Sequence, residues 1–458
     1  MPPMTLADRR RRMLDGPVAR TILALSAPNV AGVAGQTAVA IADAWFVGKL
    51  GTVPLAALSL VFPTQMMLGM MSAGAMGGGV SSAVARALGA GDRARAASVA
   101  THAILLGLGM SALFAIIFVG FGPSVYRLIG GSGEALGQAV LFARVLFLGA
   151  VVVWTANMFA SILRGCGDTA TPGRALLIGA LAQVPLSGAL TLGLGPIPAL
   201  GVTGPAAAAV LSFALAAAIM ARRLFGASAA LTLDGAAWRQ SGAVWVDILK
   251  VGIVSSLVVV LTNVTIMSVT GLVGRGGPAA LAGYGIGSRL EYMLIPIAFG
   301  VGAALTAMVG TNFGAGRYRR ARRIAWTGAA MAGAAAGLIG LVVAVFPDLW
   351  LGMFTRDPGV LAQGRLYLAI VGPVYGLFGL AMALYFASQG TGSMVWPLGA
   401  NIARIAIVLG GGGVVLDGLG LGTAALFACV ACGITVFAGT LFGSTFSRTW
   451  IPRPDTRP

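Results

Sequence analysis

Twelve times along this chain, roughly 20 or more residues pass almost without a charge, each run long enough to cross about 30 Å of hydrocarbon as a helix. The runs are 18–48, 54–86, 94–121, 135–163, 172–194 and 202–224 and, after a more polar segment at 226–243, 244–273, 279–313, 320–346, 360–387, 395–415 and 420–444. A soluble domain cannot hide so much apolar surface: 58% of the 458 residues are hydrophobic and 9% are charged. The expected fold class is an all-α polytopic membrane protein. The 69 glycines fit that reading, because small residues let membrane helices approach closely and supply hinges.

A formal charge of +17 invites a nucleic-acid reading, but the arginines sit in short loops between the apolar runs. There they act as topology signals and as contacts for anionic lipid headgroups, so no nucleic-acid partner is expected. Most basic residues lie at the N-terminus, near 86–95, 164–174 and 317–323, in the middle linker and in the C-terminal tail. The alternate loops carry only Lys49, Arg127, Arg275 and Arg356. With an even number of spans, this asymmetry puts both termini on the cytoplasmic side of a cell membrane. Arg9-Arg10-Arg11-Arg12 ahead of an apolar run resembles a signal peptide. The run is too long and lacks a small-residue cleavage site, which makes it a retained anchor.

An internal repeat organises the spans. At a shift of 225 residues, Gly89-Ala90-Gly91 falls on Gly314-Ala315-Gly316, each before a basic cluster. Gly165, Gly167 and Pro172 fall on Gly390, Gly392 and Pro397, and Gly51 falls on Gly276. Six helices per repeat is even, so the halves run the same way and are related by an axis along the membrane normal. The expected organisation is an N-terminal tail (1–17), a first lobe (18–225), a cytoplasmic linker (226–243), a second lobe (244–445) and a C-terminal tail (446–458). Two such bundles enclose a central cleft that rocking exposes alternately to each side, and the duplication makes a monomer sufficient.

The chemistry concentrates in the first span. Asn29, Gln36 and Asp43 recur every seven residues and so share one slowly drifting face of an apolar helix. Such a stripe faces protein or water, and an intramembrane carboxylate marks an ion or substrate path. Asp43 lies about 33 Å along the helix from Thr21, in the outer half of the membrane. A carboxylate desolvated there is suited to exchanging a proton near neutrality, or to holding sodium with neighbouring oxygens. Pro28 removes a backbone hydrogen bond and marks a hinge. Asn157, Gln183, Ser187 and Thr203 are further polar residues within first-half spans, with Gln183 and Ser187 on one helix face. Together with Gln36 and Asp43 they form a candidate cavity lining, against the alternative of ordinary interhelical hydrogen bonding. Asp43 falls on Ser268 in the repeat, which assigns the coupling site to the first half.

In the second half the polar candidates are Asn263, Arg289 and Glu291, with Gln389, Asn401 and Arg404 beside them. Arg289 and Glu291 are about 200° apart around their helix, so each needs a partner elsewhere. Met66, Met67, Met70, Met71 and Met76 form either core or an adaptable apolar binding surface. Cys166, Cys429 and Cys432 read as small core residues, and no role is assigned to His102. There is no phosphate-binding GxxxxGK[ST], no HExxH and no Ser/His/Asp set, so neither catalytic residues nor metal ligands nor a cofactor is expected.

AIADAWFVGKLGTVPLAALSL, ARALGAGDRARA, LRGCGDTATP and GLGPIPALGVTGPAAA in the first half, with LAGYGIGSRLEYMLIPIAFGVGAAL, GTNFGAGRYRRARR and SQGTGSMVWP in the second, carry a resemblance. The chain resembles the multidrug and toxin extrusion (MATE) family, most like its DinF-type branch, over roughly residues 18–445. The resemblance implies twelve helices in two pseudo-symmetric six-helix lobes of the MATE/MOP type, exchanging drugs or organic cations for protons or sodium. It places the family's first-helix aspartate on Asp43 and its bending proline on Pro28. The Asn and Asp that archaeal relatives carry in the fifth helix fall on Gln183 and Ser187, so that second carboxylate is missing. The seventh span offers Ser255, Ser256 and Asn263, and the tenth has no acid, where other members hold sodium with carboxylates.

The expected function is an antiporter exporting amphipathic or cationic small molecules, driven by protons rather than sodium through Asp43. The alternative is a flippase for lipid or lipid-linked oligosaccharide, which calls for a strongly cationic cavity.

Overall fold

A computed structural model describes residues 4–194, 198–226, 229 and 231–451, leaving aside the side chains of Tyr292 and Asp417. Among the described residues eleven helices are long and apolar enough to span a membrane, and a bent pair supplies a twelfth. In chain order they are α1 (Val18–Gly48), α2 (Thr52–Ala90), α3 (Arg93–Gly120), α4 (Gly133–Leu148 and Ala150–Gly165, bent by 46°), α5 (Ala170–Leu192) and α6 (Gly201–Phe225). After the linker come α7 (Gly242–Gly274), α8 (Pro278–Gly314), α9 (Tyr318–Val345), α10 (Pro358–Thr391), α11 (Val395–Leu416) and α12 (Gly422–Ser444). The apolar runs locate these spans to within a few residues.

The repeat is written into the turns. α3 and α9, α4 and α10, and α5 and α11 each begin 225 residues apart. Gly91 and Gly316 both adopt left-handed φ (86° and 72°), as do Gly167 and Gly392 (74° and 83°). Only glycine enters that region without steric cost, so the same turn recurs wherever the sequence repeats the glycine. One sequence match is corrected. Gly51, which precedes α2 with φ 118°, corresponds to Gly277, which precedes α8 with φ 92°, and not to Gly276.

One hydrophobic core is built from first-half residues with Leu231 of the linker and Val244 and Ile248 of α7, and another from the stretch α7 to α12. A third lies between them and mixes Ile22 and Leu25 of α1 with residues of α7 to α12. α8 is the seam, packing against α1 and α2 as well as α9 and α10. At the arginine-rich end, the backbones of the halves touch: a Cβ on Gly89 would stand 2.1 Å from Thr311 O, and one on Gly314 2.0 Å from Arg86 O. Polar bonds reinforce this end. Ser82 of α2 donates to Gln389 O of α10, and Arg86 bonds both Ser82 and Asp247 of α7, the latter at 2.8 Å. Asp247 also pairs with Lys250 at 2.8 Å and Arg95 at 3.4 Å.

Segment 1–17 is more than a tail. Leu6–Asp15 is an amphipathic helix with Thr5 and Asp8 forming a reciprocal capping box. It docks across both halves: Arg10 donates to Leu88 O and Gly89 O (2.8 and 2.9 Å), while Asn312 donates to Met13 O (3.0 Å). The linker docks too. His102 contacts Ser98 O through Nδ1 (2.7 Å) and accepts from Ser241 N–H through Nε2 (3.1 Å), and Thr101 donates to Ala237 O (2.6 Å). Of the expected C-terminal tail, residues 452–458 lie outside the described residues, while Trp450 is buried. Cys166 is a core residue, but Cys429 is half-buried and Cys432 exposed, contrary to expectation. Their three-residue spacing on α12 sets them on adjoining helix faces, and only part of that surface packs inward. The methionines divide similarly: Met66 and Met70 are exposed, Met67 and Met71 pack on the first-half core, and Met76 is buried.

Candidate functional site

α1 and α5 approach closely where Gly173 meets Pro28, with a Cβ on Gly173 falling 2.3 Å from Pro28 O. That contact sets the register in which α5 presents Gln183 and Ser187 to Asp43. Ser187 donates to Asp43 Oδ1 at 2.5 Å, and Gln183 Nε2 donates to Oδ2 at 3.4 Å. Ser212 of α6 then donates to Gln183 Oε1 at 2.9 Å, fixing the amide orientation. Asp43, Gln183, Ser187 and Ser212 are all buried. Among the described residues Asp43 makes no ion pair, and its partners are neutral donors. A carboxylate held this way can lose its charge without stranding a buried cation. Ser212 carried no sequence signal beyond sitting on a small-residue helix.

The other stripe residues part company. Asn29 is buried, donates to Leu25 O (3.2 Å) and accepts from Arg164 Nε (3.2 Å). Gln36 is half-buried and joins no hydrogen bond around Asp43. Seven-residue spacing drifts by about 20° per step on a straight helix, so over two steps the stripe winds away from a single partner helix. α1 runs unbroken through Pro28. Asn157 of α4 donates to Ser72 Oγ at 2.8 Å, away from Asp43. Thr203 only bonds Leu200 O within its own turn at 2.9 Å.

Ser72 belongs to a π-helical segment, Met70–Met76, inside α2, which packs on α7 and on the second part of α4. Such wide turns gather at functional sites, and nothing in the local composition announces this one. Beside it sits Arg164, which the sequence reading left in a loop but the structure buries in the last turn of α4. Among the described residues Arg164 bonds only the neutral Asn29, has no carboxylate partner, and faces the Phe299 ring of α8 at 5.4 Å. It shares an inter-lobe recess with Ser81, Phe386 and Gln389. Ser81 Oγ and Gln389 Oε1 there are buried and have no hydrogen-bond partner among the described residues.

In the second half, Glu291 accepts from Tyr367 at 2.5 Å, and Tyr284 stands edge-on to Tyr367 at 5.3 Å. Arg289 is exposed on α8, and Asn263 is exposed on α7, where it bonds only Val259 O of its own helix at 2.9 Å. Neither lines the inter-lobe recess. α8 continues through Arg289 and Glu291 without interruption.

A family model for MatE matches residues 28–188 and 253–412, two stretches that begin 225 residues apart. The chain belongs to the MatE family. It is a multi-pass membrane transporter and not an enzyme. MatE relatives include an FAD transporter of Shewanella oneidensis, 25% identical over 406 residues (87% of this chain, 88% of the relative). Another is the probable multidrug resistance protein YoeA of Bacillus subtilis, 25% identical over 360 residues (78% of this chain, 77% of the relative). A solved MOP-superfamily transporter from Pyrococcus furiosus superposes with a TM-score of 0.88 at 26% identity, covering 96% of this chain and 97% of that one. A multidrug resistance MATE transporter in an outward-facing conformation superposes at 0.85 and 27% identity, with 96% and 97% covered.

Proposed function

We propose that this MatE protein is a multidrug exporter that works by alternating access and exchanges amphipathic or cationic cargo for protons at Asp43. The observation that carries the reading is a buried carboxylate in an apolar span, held by Ser187 and Gln183 and by no cation. Its two contacts are an O–H and an N–H donor, which stabilise the ionised form without adding a second charge. Ionised, Asp43 attracts cationic cargo into the first-half cleft. A proton arriving from outside removes that attraction, and the carboxyl, now itself a donor, no longer needs Ser187. The seam between α1 and α5 loosens, and α1 hinges at Pro28, whose missing N–H leaves the helix weakest there. The arginine-rich end, with both termini, is cytoplasmic in this reading, and a single chain in the membrane suffices.

The test is ethidium efflux from proteoliposomes or cells, wild type against Asp43→Asn, with proton and sodium gradients collapsed separately. Loss of efflux in the variant, and in the wild type on adding a protonophore, is expected. Normal efflux by Asp43→Asn under a pH gradient would overturn the reading.

A second reading is favoured by Arg164. A buried guanidinium with no carboxylate partner among the described residues, facing an aromatic ring, suits cargo carrying an acidic group, and the Shewanella relative is an FAD transporter. The same cation would also receive the headgroup of a lipid-linked pyrophosphate, the flippase alternative. Flavin nucleotide accumulation that Arg164→Gln abolishes, with no ethidium movement in the wild type, would put acidic cargo first.

A further inference from the structure

The arginine-rich end carries a cavity that the transport reading does not use. It is about 810 Å³, the size range of sites for small organic ligands, and lies between the N-terminal helix and the turns that follow α2 and α8. Arg10, Arg11, Arg93 and Arg317 line it, and Asp15 is the one carboxylate on its wall. Asp15 is already committed, accepting from Arg317 at 2.7 Å, a bond that holds its carboxyl below the usual carboxylate range. Arg10 spends Nε and one terminal nitrogen on Leu88 O and Gly89 O. Arg11 and Arg93 are exposed and, among the described residues, make neither a salt bridge nor a hydrogen bond, although Arg11 lies near enough to Asp8 and Asp15 to help lower both carboxyls. Four guanidiniums therefore converge on one cavity with one carboxylate among them.

We propose that this cavity binds a phosphate-bearing anion. Guanidinium forks match phosphate oxygens two at a time, and an anion among four like charges relieves their mutual repulsion. The floor is preformed. Arg9 pairs with Asp168 at 3.0 Å, Arg317 donates to Leu14 O at 3.0 Å, and Arg320 donates to Gly16 O, so the helix bearing Arg10 and Arg11 is held on both sides. The walls come from three pieces of chain. Arg10 and Arg11 belong to the N-terminal helix, Arg93 follows the α2 turn in the first half, and Arg317 follows the α8 turn in the second. These pieces separate whenever the halves part at this end. An anion bridging them favours the arrangement in which this end is closed, and so acts as a brake on the transport cycle. The ligand is either a lipid headgroup or a soluble phosphate compound, since both offer the same oxygens.

The test uses the full chain in nanodiscs of phosphatidylcholine at fixed ionic strength, comparing wild type with the double variant Arg11→Gln/Arg93→Gln. Both residues are exposed, so the variant keeps its core. Thermal unfolding is followed while pyrophosphate is titrated, and separately in nanodiscs containing phosphatidylglycerol. Chloride at matched ionic strength reports screening alone. A saturable rise in melting temperature with pyrophosphate, whose half-saturation moves at least tenfold in the variant, identifies a soluble ligand. A rise only with phosphatidylglycerol, lost in the variant, identifies a lipid headgroup. No rise with either, or the same rise in wild type and variant, overturns the proposal.

Discussion

Cys166 offers a direct measure of whether the N-terminal helix seals the arginine-rich end. It lies just past α4, fully buried, and burial pushes its thiol from an ordinary value near 9 up to about 12. The neighbouring Gly167 is covered by Met13 and Arg9: a Cβ on it would stand 2.8 Å from Met13 Cε and 3.5 Å from Arg9 Cβ. The perturbation is removal of residues 2–15 in a background where Cys429 and Cys432 are serine. Thiolate is the species that reacts with maleimide. The gap between about 9 and about 12 is about a thousandfold in thiolate at pH 8, before any gain in access. Partial cover by α4 and α5 remains, so a rise of at least tenfold in labelling rate is expected, with a thousandfold as the ceiling from ionisation. The pH dependence separates ionisation from access. A thiol with a raised value stays protonated above pH 9, so the wild-type rate climbs about tenfold per pH unit towards 12, whereas the truncated protein levels off above about 9. Equal labelling rates and equal pH profiles in wild type and truncation would refute the sealing role.

Gly314→Ala places a Cβ 2.0 Å from Arg86 O, so the two backbones must separate by more than about 1 Å. Overpacking of this kind costs about 1–3 kcal/mol, which moves the equilibrium about 5- to 150-fold towards opening. Spin-label distances between the ends of α2 and α8 should lengthen, and an unchanged distribution would contradict it. Asp247→Asn strands Arg86, whose side chain is only 13% exposed, and should lower stability by about 3–5 kcal/mol. Arg95→Gln, with a side chain 47% exposed, should cost within about 1 kcal/mol in the same thermal assay.

What the sequence determined alone was whatever depends on local composition and period. Charge-free runs of bilayer length placed the spans, because no water in the hydrocarbon core can satisfy an open backbone. The glycine repeat placed the equivalent turns, because left-handed φ admits little else, and it failed only at Gly51, where the halves differ in phase by one residue. Asp43 stood out because a lone acid in an apolar span is costly. Tertiary structure decided which polar groups meet. Arg164 looked like a loop residue until the last turn of α4 buried it against Asn29, 135 positions away in sequence. Arg289 and Asn263 looked intramembrane and functional, yet both side chains are exposed, and Asn263 bonds only a carbonyl of its own helix. The basic N-terminus read as a tail and became a strap, because its partners, Leu88, Asn312 and Arg317, belong to both halves and come together only when those halves pack. Period and composition act over a few helical turns, whereas the register between helices is set by close contacts such as that of Gly173 with Pro28, which no single segment encodes.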